Sequence, residues 1–211
     1  IIKEIIPASS AKWIDVFCDI GAFSPEQTRA ILLAGQAAGM LPRIHANQLS
    51  RTTAVALAIE LGAASADHLS ASSDADIEAL AASTTVATLL PGAEFSTQHE
   101  GKLGRRFLDA HAQVAIATDC NPGSSFTTSM PFCIAAAVSL LGFTVEEAVH
   151  AATAGGATAL RRSDIGTLAI GSRADIAILK SPSYIHLAYR PGADLVETTL
   201  KAGRKVETWQ K

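Results

Sequence analysis

The sequence predicts an α/β fold: a TIM-type (β/α)8 barrel, present only in part, followed by a piece of a small β-sandwich. Three observations carry this. Short apolar runs recur along the first part of the chain, up to residue 119, each ending on a polar or titratable residue or a turn, at Asp19, His45, His68, Leu90 and Asp119. Their ends lie roughly 22 to 29 residues apart, the length of one strand plus one crossover helix. The last stretch then changes to short, alternating runs joined by glycine turns, which read as antiparallel strands. The expected division is residues 1–163 for the barrel portion and 164–211 for the sandwich segment.

Val16 to Asp19 reads as the first strand. Ser24-Pro25-Glu26-Gln27 is a helix start, with Ser24 as N-cap, Pro25 in the first turn and Gln27 closing a capping box. That helix is expected to run to about Ala38 and to stop at Gly39. Arg43 to Ala46 is the next strand, and an alanine-rich helix over Thr52 to Leu61 leads to the strand Ser65 to His68. Ser73 caps a helix to about Ala82, Thr85 to Leu90 is a strand, and Pro91-Gly92 reads as a turn. A helix around Lys102 to Ala112 feeds the central stretch, V-A-I-A-T-D-C-N-P-G-S-S over 114–125. It is an apolar run that stops on Thr118-Asp119 and passes into turn chemistry. Pro131 to Phe143 is a buried helix. Thr144 opens another, continued by small residues from Ala151 to Leu160. Residues 165–179 then read as two short strands about a glycine turn, and Leu195 to Val206 as a hairpin turning at Ala202-Gly203-Arg204.

Composition excludes several classes. The 211 residues are 48% apolar and 18% charged, enough for a sizeable core. A net charge of −3 without a basic cluster gives no reason to expect nucleic acid. The longest apolar stretch is well short of the roughly 20 residues a membrane helix needs. Cys18, Cys120 and Cys133 are odd in number and lack CxxC spacing, so reduced thiols in a cytoplasmic setting are expected. The chain begins with Ile1, which suggests a processed or partial chain.

The chemistry lies at the strand ends. In a parallel barrel all C-terminal strand ends open on one rim, so His45, His68 and Asp119 can converge although far apart in sequence. Imidazole and carboxylate suit zinc or ferrous iron. A single histidine is more often a structural residue, and a single aspartate before a turn more often a cap. Three in register at successive strand ends argue for a metal site.

The run G-T-L-A-I-G-S-R-A-D-I-A-I-L, followed by L-K-A-G-R-K-V, resembles the tail of amidohydrolase-superfamily enzymes. R-I-H-A-N-Q-L-S, S-A-D-H-L, T-L-L-P-G and A-T-D-C-N-P-G-S-S resemble the branch of that superfamily that opens the imidazolone ring in histidine degradation. The resemblance covers essentially the whole chain but only the later part of such an enzyme, about barrel strands 4–8. It implies one divalent metal, zinc or iron, with His45 and Asp119 as ligands. It places His68 either at the metal or on the developing oxyanion, with His68 and Asp119 as the catalytic pair. Gln48, Asn121, Gly123 and Ser124 fall where such enzymes hold the substrate, and Asn47 departs from an expected acid. The implied reaction is metal-dependent hydrolysis of 4-imidazolone-5-propanoate to N-formimino-L-glutamate, with Asp119 accepting the proton of the attacking water.

The His-x-His pair that such enzymes carry on their first strand is absent, and a closed barrel takes roughly 250 residues. The expected partners are therefore a small-molecule substrate, a missing N-terminal half and, through unpaired strand edges, further copies of the chain, with no nucleic acid and no membrane. The isolated chain is expected to be inactive. The remaining histidines, His99, His111, His150 and His186, read as loop, helix-surface or sandwich residues. Two rivals stand beside this reading. A cytosine- or guanine-deaminase relative would place Glu where Gln48 stands, and an inactive fold remnant would serve only as an assembly module.

Overall fold

The computed structural model describes residues 1–98 and 102–206. A short helix, α1 (Ile5–Ala8), precedes five repeated strand–helix steps. They are β1 (Trp13–Cys18), α2 (Pro25–Ala37), β2 (Leu41–Ala46), α3 (Ala54–Glu60), β3 (Ser65–His68), α4 (Asp74–Ala81) and β4 (Val86–Leu89). Then come α5 (Pro91–Thr97), α6 (Leu103–Asp109), β5 (Val114–Ile116) and α7 (Met130–Leu141). The five strands form one parallel sheet in sequence order, β1 to β5, with each neighbour reached through a helix. This is an arc of a (β/α) barrel, and β1 and β5 are its two edges among the described residues.

Alternation decides which face is covered. In β1 the residues Ile14, Val16 and Cys18 are buried, while Trp13, Asp15 and Phe17 are not. In β2 Ile44 and Ala46 are fully buried, while Arg43 and His45 retain access. The buried set joins Ile31, Leu32, Val55 and Leu57 of the outer helices in one core, and Phe107 and Leu141 extend it across the later units. The other set lines the concave side. β3 and β4 are buried along their whole length.

The predicted caps form. Ser24 with Gln27, Ser73 with Asp76 and Thr144 with Glu147 are reciprocal capping boxes, each satisfying two N–H groups at a helix start. Pro91-Gly92 is not a turn. Pro91 is the first residue of α5, where its missing N–H costs nothing.

α8 (Val145–His150) continues without a break through a π-helical segment, Ala151–Gly155, into α9 (Gly156–Ala159). This rod lies against the start of β5. A Cβ on Gly155 would fall 2.2 Å from the Val114 carbonyl oxygen, so only glycine allows the approach.

The last segment forms a three-stranded antiparallel sheet from β6 (Ile176–Leu179), β7 (Val196–Lys201) and β8 (Arg204–Lys205). A short helix, α10 (His186–Tyr189), lies between β6 and β7 and rests on α7. The earlier of the two strands expected over 165–179 does not form. Leu168 is 83% exposed and Ile170 fully so, with no sheet beside them to bury their alternating face. Among the described residues no helix is long and apolar enough to cross a membrane.

Candidate metal centre

His45, His68 and Asp119 meet at the C-terminal ends of β2, β3 and β5. Each offers one ligand atom, and these atoms lie within 4.8 Å of one another. The His45 and His68 ring centroids are 5.0 Å apart, and His68 Nε2 is 3.8 Å from Asp119 Oδ2. That is too long for a hydrogen bond and suits two donors facing a common point.

Backbone strain sets this geometry. His68 and Asp119 have φ of +75° and +48°, as do their neighbours Leu69 (+67°) and Asn47 (+50°). A residue after Asp67 in regular β geometry would face the helices. The left-handed turn swings His68 to the rim instead, at a cost of order 1–3 kcal/mol that the surrounding structure must hold. Asn47 helps: its Oδ1 accepts from Thr52 N and Oγ1 at 3.0 and 2.9 Å. The residue departing from an expected acid is thus an anchor of the loop after β2.

The environment acts on the three groups in different directions. Burial, helped by the charge of His45, pushes the His68 imidazole down to about 4, so it stays neutral near pH 7. Its Nδ1 is buried with no hydrogen-bond partner among the described residues. Burial also raises the Asp119 carboxyl, against the charge of His45 and hydrogen bonds from Ser124 and Asn121. His45 is lifted above the ordinary histidine value, because the hydrogen bond and charge of Asp15 outweigh its burial. Two neutral-capable imidazoles and a carboxylate at this spacing fit a divalent ion such as zinc.

The loop after β5 is organised by Asn121. Its Nδ2 donates to the Asp119 carbonyl at 2.6 Å and to Asp119 Oδ2 at 3.0 Å, while its Oδ1 accepts from the Gly123 and Ser124 N–H groups at 2.8 and 2.9 Å. Ser124 Oγ reaches Asp119 Oδ2 at 3.4 Å. Gln48 stands with His68, Ser70 and Glu94 around a cavity of about 210 Å³ beside the histidines. A larger cavity, of about 530 Å³, opens at the start of β4 and β5, the opposite end of the strands.

Asp19, expected on the rim with these residues, is held by the loop after β2. It accepts from Ile20 N at 2.8 Å, Leu49 N at 2.9 Å and the Ser50 hydroxyl, binding the loop after β2 to the end of β1. His111 ends the turn after α6, His150 closes α8 and His186 stacks edge-on with Tyr189, all away from the centre. His99 lies outside the described residues. A site residue that sequence reasoning passed over is Asp15, a carboxylate inside an apolar strand whose alternation puts it on the concave face with Phe17.

The sequence model described as "Amidohydrolase family" matches residues 14–209. The chain belongs to the amidohydrolase family. Imidazolonepropionase of Mycolicibacterium smegmatis is 62% identical to this amidohydrolase over 96% of the chain and 51% of its own length. Imidazolonepropionase of Streptomyces avermitilis is 61% identical over 94% of the chain and 48% of its own length. The chain thus spans about half the length of these relatives. Among solved structures, an adenosine deaminase from Xanthomonas campestris with bound zinc superposes with a TM-score of 0.76 at 18% identity. It covers 92% of this chain and 51% of that protein, a likeness of fold alone.

Proposed function

We propose that this chain carries the later-strand half of an active site that hydrolyses 4-imidazolone-5-propanoate to N-formimino-L-glutamate. The observation that carries the reading is the convergence of His45, His68 and Asp119 in a chain some 60% identical to imidazolonepropionases. His45 and Asp119 are the ligands for one divalent metal, zinc or iron. When bound, that metal supplies the Lewis acidity that acidifies water and polarises the ring carbonyl. Further ligands belong to the additional length that the relatives have.

Asp119 is the base. Its raised proton affinity and its place at the ligand cluster suit it to accept the proton of the attacking water and return it to the departing ring nitrogen. His68 serves either as a third metal donor or as the hydrogen-bond donor to the oxygen that gains charge. Metal analysis of His68→Ala separates these: loss of metal shows the first, loss of turnover with metal retained the second. Gln48 borders the cavity next to His68, where its amide can both donate to and accept from the ring. Gly123 and Ser124, held by Asn121, complete the substrate-holding residues on the loop after β5. An amide at Gln48 cannot relay protons to a leaving amine, which disfavours deamination.

The unpaired edges of β1 and β5 support association with a first half or with another copy. The three free cysteines support a reducing, cytoplasmic setting. The test is an assay of the complete enzyme. It should consume the imidazolone and yield the formimino product, and should release no ammonia from cytosine or guanine. Deamination without ring opening would overturn the reading.

A further inference from the structure

We propose that Asp15 is a positioning residue for the metal centre: its carboxylate accepts a hydrogen bond from the Nδ1–H of His45 and so directs the Nε2 lone pair of that ring toward His68 and Asp119. The inference rests on His45 being a metal ligand, as proposed above.

The contact is direct. His45 Nδ1 and Asp15 Oδ1 are 3.0 Å apart. Register explains it, because β1 and β2 run parallel with Asp15 beside Arg43 and Phe17 beside His45. Asp15 therefore sits one step below His45 on the same concave face, within reach of its Nδ1. The ring is bounded on its other sides by Phe17, with centroids 5.9 Å apart, and by His68 at 5.0 Å. With Nδ1 engaged from below, Nε2 is the nitrogen left for the rim. A neutral imidazole has one N–H and one lone pair, and whichever nitrogen holds the proton cannot bind a metal. A carboxylate at Nδ1 settles which nitrogen that is.

A second carboxylate lies close enough to compete. Asp67 is in register with His45, and single ligand atoms of Asp15, His45 and Asp67 fall within 4.8 Å of one another. Arg43 engages it instead. The Arg43 guanidinium donates to the Ala159 carbonyl at 2.5 Å, lies 4.7 Å from the centroid of the Trp13 ring and stands 4.0 Å from Asp67 Oδ2. Asp67 is thereby balanced by a fixed cation, and Asp15 is left to His45. Asp15 makes no other side-chain hydrogen bond among the described residues, and its side chain is 38% exposed, so its replacement should leave the fold in place.

The test uses the chain itself, labelled with ¹⁵N-histidine, at about pH 9, where histidine is neutral. Long-range ¹H–¹⁵N spectra should show His45 protonated at Nδ1. In Asp15→Ala the ring should revert toward the Nε2–H form common in solution. In Asp15→Asn the side-chain carbonyl still accepts from Nδ1, so the parental tautomer should return. Zinc titrated into the three proteins should perturb the His45 resonances at a concentration about tenfold or more higher for Asp15→Ala than for the parent, with Asp15→Asn in between. Protonation at Nε2 in the parent, or an unchanged tautomer and unchanged zinc response in Asp15→Ala, would overturn the positioning role. If the tautomer depends on Asp15 but zinc leaves His45 undisturbed even when the chain is combined with a separately expressed first half, the metal-ligand reading beneath the proposal falls. Asp15 would then orient a histidine for some other purpose.

Discussion

Asp119 has two roles that a single substitution separates. Asparagine occupies the same space and tolerates the left-handed backbone at this position at least as well. It binds a divalent cation poorly and takes no proton from water. In the complete enzyme Asp119→Asn should lower turnover at least by the 10²–10⁴-fold typical of a lost general base, with an unchanged melting temperature. Activity within threefold of the parent would remove Asp119 from the mechanism. His68 and Asp19 set the acid response of the metal-free chain in two separate windows. For His68 the folded value is about 4 against an ordinary 6.5. The unfolded chain therefore takes up the proton first, and stability falls as pH drops from about 6.5 to about 4. For Asp19, burial alone would raise the carboxyl, but Ser50 and the backbone N–H groups of Leu49, Ile20 and Ser50 outweigh it and hold it low. Its contribution is present above the ordinary carboxylate range and disappears as pH falls through the folded value. Urea unfolding at a series of pH values should show both losses. His68→Gln should flatten the upper window and Asp19→Asn the lower; a slope between pH 6.5 and 4 unaltered in His68→Gln would contradict the assignment. Strand-end spacing made His45, His68 and Asp119 legible in the sequence. Asp15 was not legible, because a carboxylate inside a strand reveals its partner only once the register of β1 on β2 is known.

The strands and helices of the βα units were legible because caps and apolar runs are local signals. Ser24 with Gln27 forms the box its spacing predicts, and Ser73 caps its helix as expected, with Asp76 closing a box there too. What failed was what depends on neighbours. The run over 165–170 alternates like a strand, yet has no sheet beside it among the described residues. Pro91-Gly92 carries turn chemistry, but a proline in the first turn of a helix fits its dihedral preference equally well. The π-helical segment had no signal at all: Ala151 to Leu160 reads as a helix of small residues. Its significance is contact, since Gly155 touches the β5 backbone. Gly155→Ala should therefore destabilise the chain by about 3 kcal/mol or more, the upper range for overpacking, because the obstacle is a strand carbonyl and not a movable side chain. Thermal unfolding of Gly155→Ala beside Gly156→Ala checks this. The nearest atom to a Gly156 Cβ is 3.9 Å away, so that variant should be tolerated. Equal melting temperatures would show that the rod can withdraw from the sheet.

Among the described residues the sheet is an open arc, with β1 and β5 as its edges. His45, Asp119 and His68 give a cation at most three protein donors, without the pair that the family resemblance places on the first strand. The purified chain should therefore hold much less than one zinc per molecule, turn over no imidazolone, and recover both on mixing with a separately expressed first half. Metal analysis and the assay together decide, and stoichiometric zinc with full activity in the isolated chain would refute it. The left-handed residues at the rim also bear on what selection preserves. His68 holds an unfavourable backbone conformation and a buried ring nitrogen with no hydrogen-bond partner among the described residues; Asp119 holds the same kind of backbone and a partly buried charge. None of these helps the chain stay folded. A library of this chain sorted only for resistance to protease should therefore drift at positions 68 and 119 toward asparagine or glycine, while Gly155 and Asn47 remain fixed. The same library sorted for catalysis in the complete enzyme should hold the histidine and the aspartate in place.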